Sequence, residues 1–150
     1  KNFYQVVPTL EKILEINTNK LFLIEIKVSN NIKLFSKIIL NILNKYKNKK
    51  IYLMSFNKDI LNIIRSNNKN LNIGLIYLTN NIKSYKYNFY VLYDKFINKN
   101  LINNLINRNK EVFIWTINNY KEFNNIKKKI NNYDQIYYIA NIKEDYFLSK

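Results

Sequence analysis

The sequence predicts an α/β fold in which parallel strands alternate with helices, arranged as a sheet or a barrel. Short apolar runs are typical of parallel strands buried on both faces, and apolar stripes with helical spacing indicate amphipathic helices. The two patterns alternate about five times, with a repeat of roughly 20–30 residues, as βα units do. A hydrophobic fraction of 47% in 150 residues is ordinary for a folded chain and excludes wholesale disorder.

The first predicted element is a short helix after Pro8, where Thr9 can cap the free backbone N–H groups. A nearly uninterrupted apolar run then predicts a strand over residues 21–28. Ser29 and Asn30 offer caps for the next helix, whose apolar stripe begins at Ile32. The remaining predictions for this half are a strand over residues 51–56 and a helix that Asn57 caps.

The second half continues the same alternation and uses asparagine at the ends of its helices. The predicted elements are strands over residues 71–77, 89–93, 112–117 and 135–140, a loop over 79–87, and helices around 101–106 and 120–130, the second capped by Asn118 or Asn119. Asn109 and the pair Asn131-Asn132 follow these two helices, where many proteins have glycine. Because asparagine tolerates the left-handed conformation, we expect these residues to act as C-caps.

Absent and rare residue types exclude several kinds of chemistry. The chain has no cysteine and no histidine, so it holds no disulfide, no zinc-finger type of metal site and no histidine acid or base. Gly74 is the only glycine, which excludes a glycine-rich phosphate loop. Neither end resembles a targeting segment, and no apolar run approaches the roughly 20 residues that a bilayer requires. We therefore expect no transmembrane segment and favour the cytoplasm as the compartment.

The net charge of +15 is a weaker indication of partners than its size suggests. The chain contains 30 Asn, 23 Lys and 25 Ile, and all three types have A/T-rich codons. A bias shared by polar, basic and apolar residues indicates a background pressure on the whole gene. The 13 tyrosines and the charge also suit a nucleic-acid binder, but both are spread over many elements instead of one face. We therefore do not expect nucleic acid as a partner.

Glu25 is the residue with the clearest functional signal. It interrupts the apolar run of the first predicted strand, where a carboxylate is costly to bury unless it is paired or bound to a cation. Strand alternation places Glu25 and Lys27 on one face, towards the carboxyl end that carries the active sites of parallel barrels. A structural pair between Glu25 and Lys27 is the equally weighted alternative.

Five segments, in the right order, resemble the later part of the glycerophosphodiester phosphodiesterase domain. They are PTLEKIL (8–14), IEIK (24–27), SFN (55–57), LNIGLI (71–76) and EVFIWTIN (111–118). The resemblance extends to about residue 142. It implies a TIM barrel, of which this single domain of residues 1–150 supplies about five to six parallel strands and lacks the N-terminal ones. We therefore expect an open partial barrel whose first strand has a free edge.

The family hydrolyses glycerophosphodiesters to glycerol 3-phosphate and an alcohol with the help of a divalent metal. The resemblance implies that Glu25 is a metal ligand, for Ca²⁺ or Mg²⁺, and that Lys27 is a catalytic residue beside the phosphate. It also implies that Phe56 and Trp115 are walls of the substrate site. A core position is the alternative for both aromatic residues, and it is the favoured one for Phe56. The implied partner is a glycerophosphodiester or another small molecule derived from phospholipid.

The departures from the family pattern limit the expected activity. The family's His-Arg-Gly strand and its histidine pair have no counterpart here, and its closing Thr-Asp is replaced by Tyr138 and Ile139. Either the chain is the later part of a catalytic domain or it is a relative that has lost catalysis. We therefore expect a phosphodiesterase-like domain that is inactive alone and completed by a missing N-terminal half or a neighbouring domain. A non-catalytic binding or interaction module derived from that fold is the alternative.

Overall fold

A computed structural model describes residues 7–27, 30–79 and 81–141. Its strands form one six-stranded sheet in the sequential order β1 to β6, and all five pairings are parallel. The sheet is curled into a half-barrel with helices on its outer face, which confirms the predicted partial barrel. The strands are β1 (Phe22–Glu25), β2 (Ile51–Ser55), β3 (Asn72–Tyr77), β4 (Phe89–Tyr93), β5 (Glu111–Ile117) and β6 (Ile136–Ala140). The helices are α1 (Leu10–Leu14), α2 (Ile32–Leu43), α3 (Lys58–Asn67), α4 (Lys99–Asn107) and α5 (Tyr120–Lys129).

The helix starts follow the predicted capping chemistry, with one correction. Thr9, Asn57 and Asn119 accept hydrogen bonds from backbone N–H groups of the first turns of α1, α3 and α5. The cap of α2, however, is Asn31, whose Oδ1 accepts from Leu34 N at 3.0 Å. The prediction of Asn30 was therefore wrong by one position, and Ser29 lies outside the described residues.

Asparagine replaces glycine at one of the two predicted helix ends. Asn109 follows α4 with φ 55°, in the left-handed region, and is the single described non-glycine residue with positive φ. Asn131 and Asn132 therefore do not form a left-handed C-cap, and α5 ends at Ile130 in extended backbone with φ −132°. The prediction is confirmed at Asn109 and wrong at the pair, because an extended residue takes the chain directly towards β6.

The sheet has two buried faces, as expected of parallel strands inside a barrel. The outer face packs against the helices through side chains such as Leu53, Leu75 and Ile114. The inner, concave face has its own apolar cluster, which consists of Ile76, Phe89, Val91 and Phe113 with Leu21, Leu23, Tyr52, Met54, Trp115 and Ile139 packed against it. Alternation along each strand thus assigns every side chain either to the helical layer or to the interior of the half-barrel.

The half-barrel is open, and one of its crossovers lacks a helix. Within the described residues β1 pairs only with β2, and β6 pairs only with β5, so the first strand has the expected free edge. The connection from β3 to β4 has neither helix nor strand between residues 81 and 87, which confirms the predicted loop. Buried Ile82 and Tyr87 cover the sheet there. None of the helices in the described ranges is long and apolar enough to cross a membrane.

Candidate active site

A cavity of about 300 Å³ lies inside the half-barrel at the carboxyl ends of its strands. Each of the six strands, or the residue just after it, contributes to the walls. The lining residues are Glu25, Met54, Phe56, Ile76, Val91, Trp115, Thr116, Ile139 and Asn141. The carboxyl ends of the strands are where parallel barrels place their active sites. Three larger cavities are also present. One of about 540 Å³ lies beside the outer helix α2, and one of about 460 Å³ lies beside the segment that joins α2 to β2. The third, of about 360 Å³, shares Thr116 and Asn141 with this cavity and is otherwise lined by polar and charged side chains and Tyr93.

Three of the four predicted site residues line this cavity together. Glu25 ends β1, Phe56 follows β2, and Trp115 lies near the end of β5, so the curl of the sheet brings distant segments to one place. The rings of Phe56 and Trp115 meet edge to face, with centroids 6.0 Å apart and planes at 69°. Phe56 is 45% exposed, so the expectation that it is a core residue was wrong.

Trp115 joins the cavity to the inner core. Its ring contacts the inner-face cluster and lies 5.7 Å from the ring of Tyr93. Its Nε1 is buried and has no hydrogen-bond partner among the described residues. Trp115 is therefore held by packing, and its position is set by neighbours on β4 and in the inner core.

Lys27 is not part of the cavity wall. Glu25 and Lys27 are both exposed, but only Glu25 lines the cavity, and within the described residues no hydrogen bond or ion pair connects them. The alternative of a structural pair between these two residues is therefore not what the structure has. Because β1 ends at Glu25, well short of the predicted residue 28, strand alternation no longer determines the direction of Lys27.

A buried serine fixes the backbone between Glu25 and Lys27. Ser55, at the end of β2, is 1% exposed, and its Oγ donates a hydrogen bond to the carbonyl oxygen of Ile26 at 2.7 Å. The N–H of Ile26 donates to Met54 O, also at 2.7 Å. The Ser55 hydroxyl in turn accepts from Asn57 N at 3.1 Å. Glu25 is the last paired residue of β1, and the backbone directly after it is hydrogen-bonded to β2.

A hydrogen-bonded polar network borders the cavity on the side of β6. Asn141 Nδ2 donates to Asn118 Oδ1 at 2.9 Å, and Glu122 Oε2 accepts from Asn118 N at 2.8 Å and from Asn118 Nδ2 at 3.4 Å. The hydrogen bond from the Asn118 backbone is the main reason that the pKa of Glu122 is lowered. Because the Glu122 carboxylate only accepts hydrogen bonds, the Nδ2 of Asn118 is directed towards it and the Oδ1 of Asn118 accepts from Asn141. The Oδ1 of Asn141 therefore remains as an acceptor.

The described residues do not by themselves make a site for Ca²⁺ or Mg²⁺. No group of three or more histidine, cysteine, aspartate or glutamate residues comes together within them. In the cavity, Glu25 is the sole carboxylate, and Thr116 and Asn141 are the other residues with side-chain oxygens. Ca²⁺ takes six to eight oxygen ligands, and Mg²⁺ is commonly held by one or two carboxylates together with waters and substrate phosphate. A metal bound at Glu25 would therefore need further oxygen ligands from water, substrate or residues outside the described ones.

Six residues that complete the walls were not predicted from the sequence, namely Met54, Ile76, Val91, Thr116, Ile139 and Asn141. Four of them are aliphatic or thioether side chains, Thr116 is hidden beside Trp115, and asparagine is common throughout the chain. Met54, Ile76, Val91 and Ile139 share a signal of position, because each lies on the inward-facing side of its strand. Applying the alternation of Glu25 to every strand would have found most of them.

Comparisons with known proteins agree with the fold. No protein-family model matches the sequence, and no curated protein matches it significantly. Among solved structures, the chain is similar to a proposed glycerophosphoryl diester phosphodiesterase of Silicibacter pomeroyi, with a TM-score of 0.75 and 13% identity over 89% of this chain and 52% of the other. It is similar to a glycerophosphodiester phosphodiesterase of Parabacteroides distasonis, with a TM-score of 0.65 and 13% identity over 93% of this chain and 62% of the other.

A third similar structure has a bound molecule. An Oleispira antarctica phosphodiesterase, solved in complex with the product sn-glycerol-3-phosphate, gives a TM-score of 0.62 and 11% identity over 76% of this chain and 49% of the other. The chain thus spans about half to three fifths of the length of the structures it matches. At these identities the similarity shows a shared fold, so the class that is established is a half-barrel with the fold of glycerophosphodiester phosphodiesterases.

Proposed function

We propose that the cavity at the carboxyl ends of the strands is one part of a site for hydrolysis of glycerophosphodiesters to glycerol 3-phosphate and an alcohol. One observation carries this proposal. Glu25, Phe56 and Trp115, which come from three separate segments that resemble the phosphodiesterase family, line a single cavity. Independent segments brought together at the expected end of a shared fold support a common role in one site.

Each predicted residue has a distinct role in this proposal. Glu25 would be one ligand of a divalent metal, and the metal would supply Lewis-acid polarisation of the phosphoryl oxygen. Phe56 and Trp115 are apolar walls that exclude water around the glycerol or alcohol group. Lys27, which is exposed and follows Glu25 by two residues, offsets phosphate charge if substrate extends past Glu25. The histidine acid and base of the resembled family must come from elsewhere, because the sequence has no histidine.

Metal titration and hydrolysis assays test the proposal. Calorimetric titration of Ca²⁺ and Mg²⁺ is compared for the wild type, Glu25→Gln and Glu15→Gln, the last of which removes the same charge at the end of α1, outside the cavity lining. We expect weak metal binding that Glu25→Gln abolishes and Glu15→Gln preserves. Equal affinity in all three would remove the metal role of Glu25. We expect no hydrolysis of glycerophosphocholine by this chain alone, and hydrolysis would contradict the claim that its acid and base are missing.

A non-catalytic binding module is the second candidate function. The observation that favours it is the single carboxylate in a cavity whose other walls are mostly apolar. The residues encoded upstream of Lys1 discriminate between the two candidates. A His-Arg-Gly strand followed by acidic residues favours the hydrolase, and an unrelated upstream sequence favours the binding module.

A further inference from the structure

We propose that the face of the half-barrel at the amino ends of its strands docks on an anionic phospholipid surface. We call it the basic face, and it consists of the connections that lead from a helix into the next strand. Their residues are 15–21, 44–50, 68–71, 108–110 and 130–135. Because all five strand pairings are parallel, these connections lie together at one end of the half-barrel. Docking in this orientation leaves the cavity at the carboxyl ends open to water, and it does not depend on hydrolysis.

The unequal charge of the two ends of the half-barrel is the first argument. The basic face carries eight lysine and arginine residues and two carboxylates, Glu15 and Asp134. The connections from a strand into the following helix have two lysines and one carboxylate in their described residues, which are 26–27, 30–31, 56–57, 94–98 and 118–119. The last turn of α5 adds Lys127, Lys128 and Lys129 at the same end as the basic face. Although basic residues occur throughout the sequence, the fold therefore concentrates their excess charge at the amino ends of the strands.

A polar cavity on the basic face is the second argument. Its volume is about 460 Å³, and it is lined by Lys47, Lys49 and Lys50 of the connection from α2 to β2. The same lining includes four asparagines and no carboxylate. Ammonium and amide N–H groups donate hydrogen bonds to phosphate oxygens, and basic pockets of this kind bind the head groups of anionic lipids. The cavity therefore suits the phosphate of a lipid head group.

An exposed apolar side chain beside these lysines is the third argument, and it favours a lipid surface over nucleic acid. Ile16 is 51% exposed, and its carbonyl oxygen accepts a hydrogen bond from Lys49 Nζ at 2.8 Å. An apolar side chain surrounded by lysines suits the boundary between lipid head groups and acyl chains. Single-stranded nucleic acid is instead bound by stacking of its bases on exposed aromatic rings. The two aromatic residues of the basic face, Tyr46 and Tyr133, are both half-buried.

Vesicle flotation with matched lysine variants tests the surface. The vesicles consist of phosphatidylcholine with or without phosphatidylserine, and we expect binding only where phosphatidylserine is present. The double variant Lys47→Gln/Lys50→Gln should weaken this binding about thirtyfold, which corresponds to about 1 kcal/mol for each lysine. The control Lys33→Gln/Lys37→Gln removes the same charge from exposed positions in the first half of α2 and should weaken binding less than about threefold. Circular dichroism confirms that both variants fold.

A fluorescent label tests the orientation of the docked protein. The chain has no cysteine, so Ile16→Cys and Leu78→Cys each place one environment-sensitive fluorophore, on the basic face and after β3 at the opposite end. We expect anionic vesicles to shift the emission to the blue at position 16 and to leave position 78 unchanged. A shift at position 78 alone, equal binding to neutral vesicles, or equal losses in the two lysine pairs would overturn the proposal. Tighter binding to polyuridylate RNA than to anionic vesicles would assign the basic face to nucleic acid and overturn it as well.

Discussion

The hydroxyl of Tyr52 on β2 donates a hydrogen bond to Glu111 Oε1 on β5, at 3.2 Å, although the two residues are 59 positions apart. Tyr137 on β6 donates to the same oxygen at 3.2 Å. Since β2 and β5 are not neighbours in the sheet, the first bond crosses the concave face. One carboxylate therefore joins three strands at the amino end of the half-barrel and stabilises its curl.

Removing this acceptor is expected to destabilise the fold. Glu111→Leu leaves the part-buried Tyr52 hydroxyl without its partner, while the exposed Tyr137 hydroxyl can bind water, so we expect a loss of about 1 kcal/mol in the free energy of unfolding. Glu111→Gln keeps an amide oxygen as acceptor and should lose clearly less. Urea unfolding of both variants against the wild type measures the difference. Equal stability of Glu111→Leu and the wild type would show that the contact contributes nothing net.

The same contact predicts a fall in stability at high pH. Burial, with the hydrogen bond to Glu111, raises the pKa of Tyr52 from 10 to about 12. Between pH 10 and about 12 the unfolded chain has lost the Tyr52 proton that the folded chain retains. The contribution of Tyr52 to folding stability is therefore fully present below pH 10 and is lost as the pH rises towards about 12. Urea unfolding from pH 9 to 11.5 should show the decrease. Replacing Tyr52 with phenylalanine should reduce the slope, and an unchanged slope would contradict this assignment.

Gly74 is predicted to be intolerant of any side chain. A Cβ at this position would clash with the ring of Phe89, which is fully buried in the inner-face cluster. We expect Gly74→Ala to cost about 1–3 kcal/mol of stability through overpacking. Phe89→Leu should relieve part of that cost, so the double variant should be more stable than the sum of the single losses, by at least about 0.5 kcal/mol. Strict additivity in urea unfolding would show that the clash is not the cause.

Two buried serines provide a matched test of the hydrogen bond that holds the backbone next to Glu25. Ser55→Ala removes the hydrogen bond to Ile26 O and leaves that carbonyl without its partner, so we expect a loss of about 1–3 kcal/mol. Ser36 is equally buried, but its Oγ donates at 2.7 Å to Ile32 O, one turn earlier in α2. Ser36→Ala should change stability by less than about 0.5 kcal/mol, since alanine favours the helix. Similar losses for both variants, measured by thermal unfolding, would argue against a special role of Ser55.

Asn109 tests the substitution of asparagine for glycine at a helix end. Its φ of 55° requires the left-handed region, which costs most side chains about 1–2 kcal/mol. Asn109→Ala should therefore lower stability by about 1 kcal/mol, whereas Asn109→Gly should be nearly neutral. The same pair of changes at Asn131, which is not left-handed, serves as the control. A loss on Asn109→Gly larger than on Asn109→Ala would contradict this explanation.

Most of the fold could be predicted because its signals are local. The caps Thr9, Asn57 and Asn119 follow from residue chemistry next to an apolar stripe, and each is observed. The errors occur where several residues offer the same chemistry. Asn30 and Asn31 are equivalent as caps in sequence, and the φ of −113° and the side-chain contact at Asn31 decide between them only in the folded chain.

The candidate site was predictable in part. Glu25 is conspicuous because a carboxylate in an apolar strand is costly, whereas Trp115 was indicated only by the family resemblance of its segment. Asn141 lines the same cavity but is one of 30 asparagines, so nothing local distinguishes it. Phe56 looks like a core residue in sequence, and its exposure depends on its position just after β2 ends.

The sequence by itself determined the order of strands and helices, the parallel sheet and the absence of histidine chemistry. These are consequences of residue spacing and composition, which do not require distant parts of the chain to meet. The tertiary structure alone decided that Glu25, Phe56 and Trp115 share one cavity, that Lys27 lies outside it, and that Glu111 joins Tyr52 and Tyr137. The physical reason is that the alternation along a strand assigns each side chain to one face of the sheet. Which side chains become its neighbours on that face depends on the register and the curl of the sheet, which accumulate over five strand pairings.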